Sequence, residues 1–217
     1  MSYKAAIFDM DGTILNTLDD LADATNRALA ENSLPVRTID EVRNFVGNGI
    51  RKLIERAVPA GTARSVIDKV NDDFSAYYAK HCADKTMPYE GISAMLASLR
   101  TAGIKTAVVS NKDDYAVQTL ARVYFPAMFD AVAGVRSGIR KKPAPDTVFE
   151  VMNRLSVEKA QCVYIGDSEV DIETAENAGI PCICVAWGFK GRTFLAEHNA
   201  QKIVDTVSQL SIELLNC

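Results

Sequence analysis

The sequence predicts an α/β protein with a doubly wound parallel sheet that is interrupted early by an all-helical segment. Three observations lead to this prediction. Ala5 to Phe8 form a short apolar run that is typical of a buried strand. A long stretch with helical spacing and no convincing strand follows. Beyond Pro88, strands and helices alternate, which indicates parallel strands with right-handed crossovers.

The helical pattern sets the expected domain boundaries. We predict an α/β core with a Rossmann-like sheet over residues 1–16 and 86–217, and a helical insert over residues 17–85. Within the insert, Thr38 and Glu41 have the spacing of a capping box that opens a helix. The run Val46-Gly47-Asn48-Gly49 interrupts the pattern, and Pro59 ends the helix that follows it.

The core elements follow in regular order after Pro88. Apolar runs that stop at polar or glycine residues are typical of buried strands, and amphipathic runs closed by glycine are typical of helices. We predict helices over residues 91–102, 114–123, 145–155, 174–178 and 207–215, and strands over residues 106–109, 129–133, 162–165, 181–185 and 200–204.

Charge and composition exclude several classes of partner. The 217 residues carry a net charge of −4 and no basic run beyond Arg140-Lys141-Lys142, which disfavours nucleic acid and anionic membranes as partners. We see neither a secretory leader pattern nor an apolar run of transmembrane length, so we expect a cytoplasmic protein. The sequence leaves open whether it is a monomer or a homodimer.

The cysteines and histidines do not form a recognisable reactive site. The five cysteines lack paired CxxC spacing, and the two histidines, His81 and His198, lie near no cysteine or acid cluster. A zinc site and a cysteine–histidine nucleophile pair are therefore both disfavoured. Cys182 and Cys184 fit a buried strand in which thiols act as small apolar groups. Chemistry in this chain must use carboxylates, hydroxyls and lysine.

Polar side chains follow three of the predicted buried strands, and ligands of parallel sheets bind beyond the carboxyl ends of the strands. Each of these residues could instead be a polar exit from a strand or a helix cap. Coincidence at three strand ends is harder to accept, so we predict a site made of Asp9 and Asp11, Ser110 and Asn111, and Asp167 and Asp171.

The charges of this predicted site require cations. Four gathered carboxylates and a phosphate monoester of about −2 charge would repel one another without a divalent ion and a lysine. Oxygen ligands without histidine or thiolate favour Mg²⁺. Lys142 lies in the run Lys141-Lys142-Pro143-Ala144-Pro145, where two prolines stiffen the loop, although a basic loop of this kind is often only solvated.

These motifs together resemble the haloacid dehalogenase superfamily of phosphohydrolases. The resemblance rests on four motifs that span most of the chain, and the helical insert is similar to the superfamily's C1-type cap. The cap run Val46 to Ile50 and the later Ala186-Trp187-Gly188 resemble the phosphoglycolate phosphatase group. The four motifs are Asp9-Met10-Asp11-Gly12-Thr13, Ser110, Lys142-Pro143-Ala144-Pro145, and Gly166-Asp167-Ser168 with Asp171.

The resemblance implies a division of roles among these residues. Asp9 would attack phosphorus and become an aspartyl-phosphate, and Asp11 would act as general acid and then general base. Mg²⁺ would be held by the side chains of Asp9 and Asp167 and by the backbone carbonyl of Asp11, with Asp171 in the outer shell. Ser110, the Asn111 amide and Lys142 would stabilise the transferring phosphoryl group. The cap would exclude water and select the leaving group.

The substrate is expected to be a small phosphorylated metabolite. Phosphoglycolate is the leading prediction, with sugar phosphates, nucleotides and pyrophosphate as alternatives. In the cap, Asn48, Gly49 and Arg51 are the candidate substrate-binding residues, although they also fit a helix start with a solvated arginine. A phosphomutase of the β-phosphoglucomutase type uses the same aspartates. A dehalogenase is disfavoured because dehalogenases of this superfamily do not have an acid at the position of Asp11. A non-catalytic receiver-like phospho-acceptor is disfavoured by the helical insert.

Overall fold

A computed structural model describes residues 3–216 and divides the chain into two compact units. One unit contains the residues up to Leu15 together with those from Pro88 onward. The other is Asn16–Met87. This helical unit begins one residue before the predicted insert of residues 17–85 and ends two residues after it. Among the described residues, we find no helix that is both long and apolar enough to cross a membrane.

The α/β unit is built on a six-stranded parallel sheet with the strand order β5-β4-β1-β6-β7-β8. The predicted doubly wound α/β fold is confirmed. A separate two-stranded ribbon, β2 with β3, lies where the chain passes between the units. The strands are β1 (Ala5–Phe8), β2 (Leu15–Asn16), β3 (Met87–Pro88), β4 (Lys105–Asp113), β5 (Ala131–Val135), β6 (Cys162–Gly166), β7 (Cys182–Val185) and β8 (Ile203–Val204).

The position of β1 in the sheet determines where a ligand can bind. Successive strands are added on both sides of β1, which pairs with β4 on one edge and with β6 on the other. The strand order therefore reverses at β1, and the crevice at such a point is where doubly wound folds bind ligands. All four residues of β1 are fully buried, because both faces of a parallel sheet are covered by helices.

Helices cover the sheet and also make up the helical unit. In the α/β unit, apolar side chains of the sheet and of the flanking helices form a continuous core that includes Ile7, Val109, Val151 and Tyr164. The helices are α1 (Leu18–Glu31), α2 (Ile39–Phe45), α3 (Ile50–Ala57), α4 (Arg64–His81), α5 (Ile92–Thr101), α6 (Asp114–Tyr124), α7 (Asp146–Leu155), α8 (Glu169–Ala178), α9 (Gly191–Glu197) and α10 (Val207–Leu215).

The helical unit has its own core. Leu29, Leu53 and Phe74, from three of its helices, are almost fully buried, and the ring of Phe74 stacks on that of Tyr78 at 5.3 Å. The predicted capping box at Thr38 is present, because Glu41 N–H donates to the Thr38 hydroxyl and Thr38 N–H donates to the Glu41 carboxylate. These contacts fix the start of α2 and use the polar groups that a helix end leaves unpaired.

Three predicted strand positions need correction. The strand predicted over residues 200–204 is limited to Ile203–Val204. The strand predicted over residues 106–109 continues to Asp113, and the one predicted over 129–133 lies at Ala131–Val135. The register between these strands shifts between Val109 and Asp113, which marks a β-bulge that apolar alternation does not reveal. The short strands β2 and β3 were not predicted, because two-residue strands leave no periodic pattern.

Candidate active site

Asp9 comes directly after β1 and is buried between neighbouring strands. Its N–H donates to the carbonyl of Ile165 in β6 at 2.8 Å, so the residue continues the hydrogen-bonding pattern of the sheet. Its carboxylate accepts a hydrogen bond of 2.7 Å from the ammonium group of Lys142. The sheet therefore fixes Asp9, and a buried cation compensates its charge.

Lys142 joins two carboxylates in the interior. Its Nζ lies 2.7 Å from Asp9 Oδ1, 2.8 Å from Asp171 Oδ1 and 3.1 Å from the hydroxyl of Tyr164, and its side chain is 4% exposed. The Tyr164 hydroxyl in turn donates to the carbonyl of Val109. Lys142 is therefore not the solvated lysine of a basic loop. By contrast, the neighbouring Arg140 is exposed and pairs with Asp146.

Asp171 is held by the start of α8. Its Oδ2 accepts hydrogen bonds from the Ser168 hydroxyl at 2.7 Å and from the backbone N–H groups of Asp167 and Ser168, both at 3.2 Å. This is a capping box in which Ser168 caps the helix and Asp171 reaches back. Both carboxylate oxygens of Asp171 are thus engaged, one by this cap and the other by Lys142.

Asp167 lies at the end of β6, against the loop that follows β1. Its Oδ2 accepts from the backbone N–H of Phe189 at 2.7 Å, and its Oδ1 lies 3.5 Å from the Thr13 hydroxyl. Gly12 has a φ of +83°, and a Cβ there would overlap the Asp167 carboxylate. Glycine at this position therefore permits both the left-handed turn and the close approach of Asp167.

Burial shifts the pKa values of this group. Burial raises the pKa of Asp9 to about 7, against the opposing effect of the Lys142 ammonium. Burial also raises the pKa of Asp167, and the nearby Asp171 and Asp9 add to the effect. Burial alone would lower the pKa of Lys142, but Asp171 and Asp9 outweigh it and hold that pKa well above its ordinary value. Lys142 therefore stays charged, and the negative charge of the surrounding carboxylates exceeds its single positive charge.

Three of these carboxylates form a group that could hold a metal ion, which we name the candidate metal-binding group. Asp9, Asp167 and Asp171 each offer an oxygen, all within 4.8 Å of one another, and all three residues are buried. Three carboxylates face one lysine, so the group carries a net deficit of positive charge. Oxygen donors without histidine or cysteine suit Mg²⁺, which the sequence predicted. The residues present therefore fit this ion.

The Asp11 carboxylate pairs with a lysine of its own. Its negative charge helps to raise the pKa of Asp9, but Asp11 is not a member of the group formed by Asp9, Asp167 and Asp171. Its Oδ2 lies 3.0 Å from the ammonium group of Lys112, whose side chain is only 2% exposed. The chain has already left the extended conformation, because β1 ends at Phe8 and a turn begins at Met10. The backbone carbonyl of Asp11, which was the predicted metal ligand, remains a proposal.

The bulge in β4 carries the predicted phosphate-binding residues. Ser110 and Asn111 are both buried, and the Ser110 hydroxyl accepts from the N–H of Lys112 at 3.2 Å. The Asn111 side-chain amide donates to the backbone carbonyl of Lys142 at 3.1 Å. Among the described residues, no group donates to the Asn111 Oδ1. The bulge therefore brings Ser110, Asn111 and Lys112 to the same end of the sheet as Asp9.

The predicted cap residues belong to the helical unit, where they interact with neighbours in that unit. Asn48 Oδ1 accepts from the guanidinium of Arg56 at 2.7 Å, and Gly49 is the residue that precedes α3. The Arg51 guanidinium contacts both Glu55 and Asp68. The positive charge of Arg51 is therefore already shared between two carboxylates.

Sequence reasoning missed two buried residues of the site, Lys112 and Tyr164. Lys112 follows Ser110 and Asn111 directly, so its place next to two predicted site residues was a usable signal. Tyr164 reads as an ordinary core residue of β6, and its hydroxyl contact with Lys142 depends on a loop far away in sequence. Its role could not be seen without the structure.

The fold and the site define a class of protein: an α/β enzyme whose carboxylates and buried lysines lie at the carboxyl ends of parallel strands. A family model described as haloacid dehalogenase-like hydrolase matches residues 6–185. The chain belongs to this family of haloacid dehalogenase-like hydrolases.

Individual relatives narrow the class further. The phosphoglycolate phosphatase of Psychrobacter arcticus is 33% identical over 223 residues, which cover 99% of this chain and 97% of that protein. The phosphoglycolate phosphatase of Colwellia psychrerythraea is 32% identical, covering 97% and 96%. A crystal structure of a candidate phosphoglycolate phosphatase from Lactobacillus delbrueckii subsp. bulgaricus is 40% identical, with a TM-score of 0.96 and full coverage of both chains. The chain is therefore a phosphatase-type hydrolase of this family.

Proposed function

We propose that the protein hydrolyses a small phosphate monoester in a Mg²⁺-dependent reaction through an aspartyl-phosphate on Asp9, with phosphoglycolate as the leading substrate. The buried contact of Asp9 with Lys142, inside a group of three carboxylates, is the observation that carries this proposal. The names of the relatives supply the substrate. We place the enzyme in the cytoplasm, as a monomer or a homodimer.

The first step forms a bond between an Asp9 carboxylate oxygen and phosphorus. The bond from phosphorus to the leaving oxygen breaks, and Asp11 gives its proton to that oxygen. In the second step, Asp11 takes a proton from a water molecule whose oxygen attacks phosphorus. The bond from phosphorus to Asp9 breaks, so inorganic phosphate leaves and both aspartates regain their starting states.

The buried carboxylates would hold Mg²⁺. Asp9 and Asp167 would be the direct side-chain ligands, with the backbone carbonyl of Asp11. Asp171, whose two oxygens are already engaged by Lys142 and the helix cap, acts by orienting its neighbours. When bound, Mg²⁺ neutralises phosphate oxygens and lets a dianionic substrate approach a carboxylate.

The remaining polar groups act on charge and position. Ser110, the Asn111 amide and the Lys142 ammonium stabilise the negative charge on the transferring phosphoryl group. Lys112 pairs with the Asp11 carboxylate at 3.0 Å and would orient it for proton transfer. The site thus contains a nucleophilic aspartate, paired with Lys142, and a proton-transferring aspartate, paired with Lys112.

The helical unit would select the leaving group through Asn48, Gly49 and Arg51. A substrate carboxylate would compete with Glu55 and Asp68 for the guanidinium of Arg51. Because this pairing is solvent-exposed, its disruption costs little free energy. A second anion could therefore be accommodated there.

A panel of phosphate monoesters, ranked by kcat/KM with Mg²⁺ present, tests the substrate. We expect phosphoglycolate to rank first and sugar phosphates, nucleotides and pyrophosphate to follow. A different first-ranked substrate would overturn the phosphoglycolate assignment but not the assignment of phosphatase activity. Turnover that requires a bisphosphorylated activator and releases no free phosphate would indicate a mutase. A stable adduct from acetyl phosphate without any turnover would indicate a receiver.

Metal removal tests the cofactor. We expect EDTA to abolish turnover and added Mg²⁺ to restore it, because the buried carboxylates would otherwise repel the substrate dianion. Calorimetry should show one Mg²⁺ bound per chain. Full turnover in EDTA would contradict the metal site.

A further inference from the structure

The loop of residues 186–189 follows β7 and approaches the candidate metal-binding group, but the proposed reaction gives it no role. Three of its residues contact this region. The Phe189 N–H donates to Asp167 Oδ2 at 2.7 Å, and the Trp187 indole N–H donates to the backbone carbonyl of Thr13 at 3.0 Å. We name residues 186–189 the tryptophan loop.

Gly188 makes the closest approach. A Cβ on Gly188 would overlap Cβ of Asp167, and it would also lie 2.6 Å from the carbonyl oxygen of Gly12. The φ angle of Gly188 lies outside the left-handed region that favours glycine, so backbone conformation does not explain this residue. Space does explain it, because any side chain at position 188 would displace either Asp167 or the loop that follows β1.

The tryptophan loop therefore contacts both halves of the candidate metal-binding group. Asp167 comes from the end of β6, whereas Gly12 and Thr13 belong to the turn that carries Asp9 and Asp11. The Thr13 hydroxyl lies 3.5 Å from Asp167, so Trp187 fixes the residue that itself contacts Asp167. These contacts limit the separation of Asp167 from Asp9.

We infer that the tryptophan loop positions Asp167 against the turn after β1 and so sets the affinity of the site for Mg²⁺. This inference rests on the proposed function, since it requires Mg²⁺ at Asp9 and Asp167. Gly188 and Trp187 are positioning residues, because they touch the carboxylate and the turn and not the reacting atoms. A cation site tolerates little displacement of its ligands, and residues that orient those ligands typically account for 10- to 100-fold in metal affinity.

The test is calorimetric titration of the complete protein with MgCl₂ in the absence of substrate. We expect Gly188→Ala to weaken Mg²⁺ binding about 10- to 100-fold and Trp187→Phe, which keeps an aromatic side chain and removes the indole N–H, to weaken it several-fold. Gly179→Ala is the matched control. Gly179 has a left-handed φ of +70°, so a Cβ there is also strained, but it would lie beside Lys159, at 3.3 Å from its Nζ, and touch no residue of the candidate site. We expect it to lower the melting temperature and leave Mg²⁺ affinity within twofold.

Trp187 also offers an independent readout, because it is the only tryptophan of the chain. Mg²⁺ binding at the turn after β1 should change the indole fluorescence of the wild-type protein at the concentrations at which calorimetry detects binding. Wild-type Mg²⁺ affinity in Gly188→Ala would overturn the inference. If that variant does not fold, wild-type affinity in Trp187→Phe would overturn it. A wild-type protein that binds no Mg²⁺ would instead contradict the proposed function itself.

Discussion

Two groups of charged residues in this molecule share the same arrangement of charges and differ in their exposure to solvent. In the α/β unit, Lys142 lies between Asp9 and Asp171 at 2.7 and 2.8 Å. In the helical unit, Arg51 lies between Glu55 and Asp68, with 3.0 Å to Glu55. Each group places one cation between two carboxylates. The Lys142 side chain is 4% exposed, however, and that of Arg51 is 36% exposed.

Burial decides what each group can do. Removing one partner from a buried ion pair costs roughly 3–5 kcal/mol, because it leaves a charge that water cannot solvate. Exposed pairs are screened by solvent and contribute little. The pKa values follow the same division, since burial raises that of Asp9 to about 7, whereas hydrogen bonds from Lys52 and Arg51 lower that of Glu55. This difference supports the proposal that the chemistry belongs to the buried group and substrate selection to the exposed one.

The largest expected effect is that of Asp9→Asn. The amide keeps the shape of the carboxylate and still accepts from Lys142, but it cannot act as the nucleophile. We expect kcat to fall by about four orders of magnitude or more, as for other nucleophiles. The circular dichroism spectrum should match that of the wild type. Activity close to wild type would remove Asp9 as the nucleophile.

An intermediate effect is expected for Lys112→Met, which removes the ion-pair partner of Asp11. Misplacing the general acid should lower kcat/KM for an alkyl phosphate about 10- to 100-fold. The kcat/KM for p-nitrophenyl phosphate should change much less, because a phenolate leaves without needing a proton. Lys69→Met is the matched control, since Lys69 is an exposed lysine that pairs with Asp73 in the helical unit. Equal losses on both substrates would show that Lys112 does not act through Asp11.

The smallest effect is expected for Arg51→Ala. We expect KM for phosphoglycolate to rise by up to about 10-fold with kcat nearly unchanged, because loss of uniform binding raises KM alone. The matched control is Arg43→Ala, another exposed arginine of the helical unit, which pairs with Asp40. If the two variants have the same KM, Arg51 does not contact the substrate.

The sequence was most informative where structure and chemistry depend on local pattern. Strand β1 was visible as an apolar run that ends at Asp9, and the cap of α2 was visible as Thr38 and Glu41. The polar residues that follow buried strands pointed to one edge of the sheet. The structure brings Asp9, Asp167 and Asp171 together there, within 4.8 Å.

The sequence was less informative where placement depends on distant contacts. The bulge in β4 changes the register over Ser110 to Lys112, and no periodicity marks it. The ion pair of Lys112 with Asp11 joins two residues that lie far apart in the sequence. The close approach of Gly188 to Asp167 joins two loops that follow different strands. Each of these features results from tertiary packing.

The central claim is that Asp9 carries the phosphoryl group during turnover. The most direct measurement is rapid acid quench of the enzyme with saturating substrate and Mg²⁺, followed by proteolysis and mass spectrometry. We predict a phosphoryl adduct, labile to hydroxylamine, on the peptide that contains Asp9, and none in Asp9→Asn. Turnover without an adduct on that peptide, or an adduct on another residue, would contradict the claim.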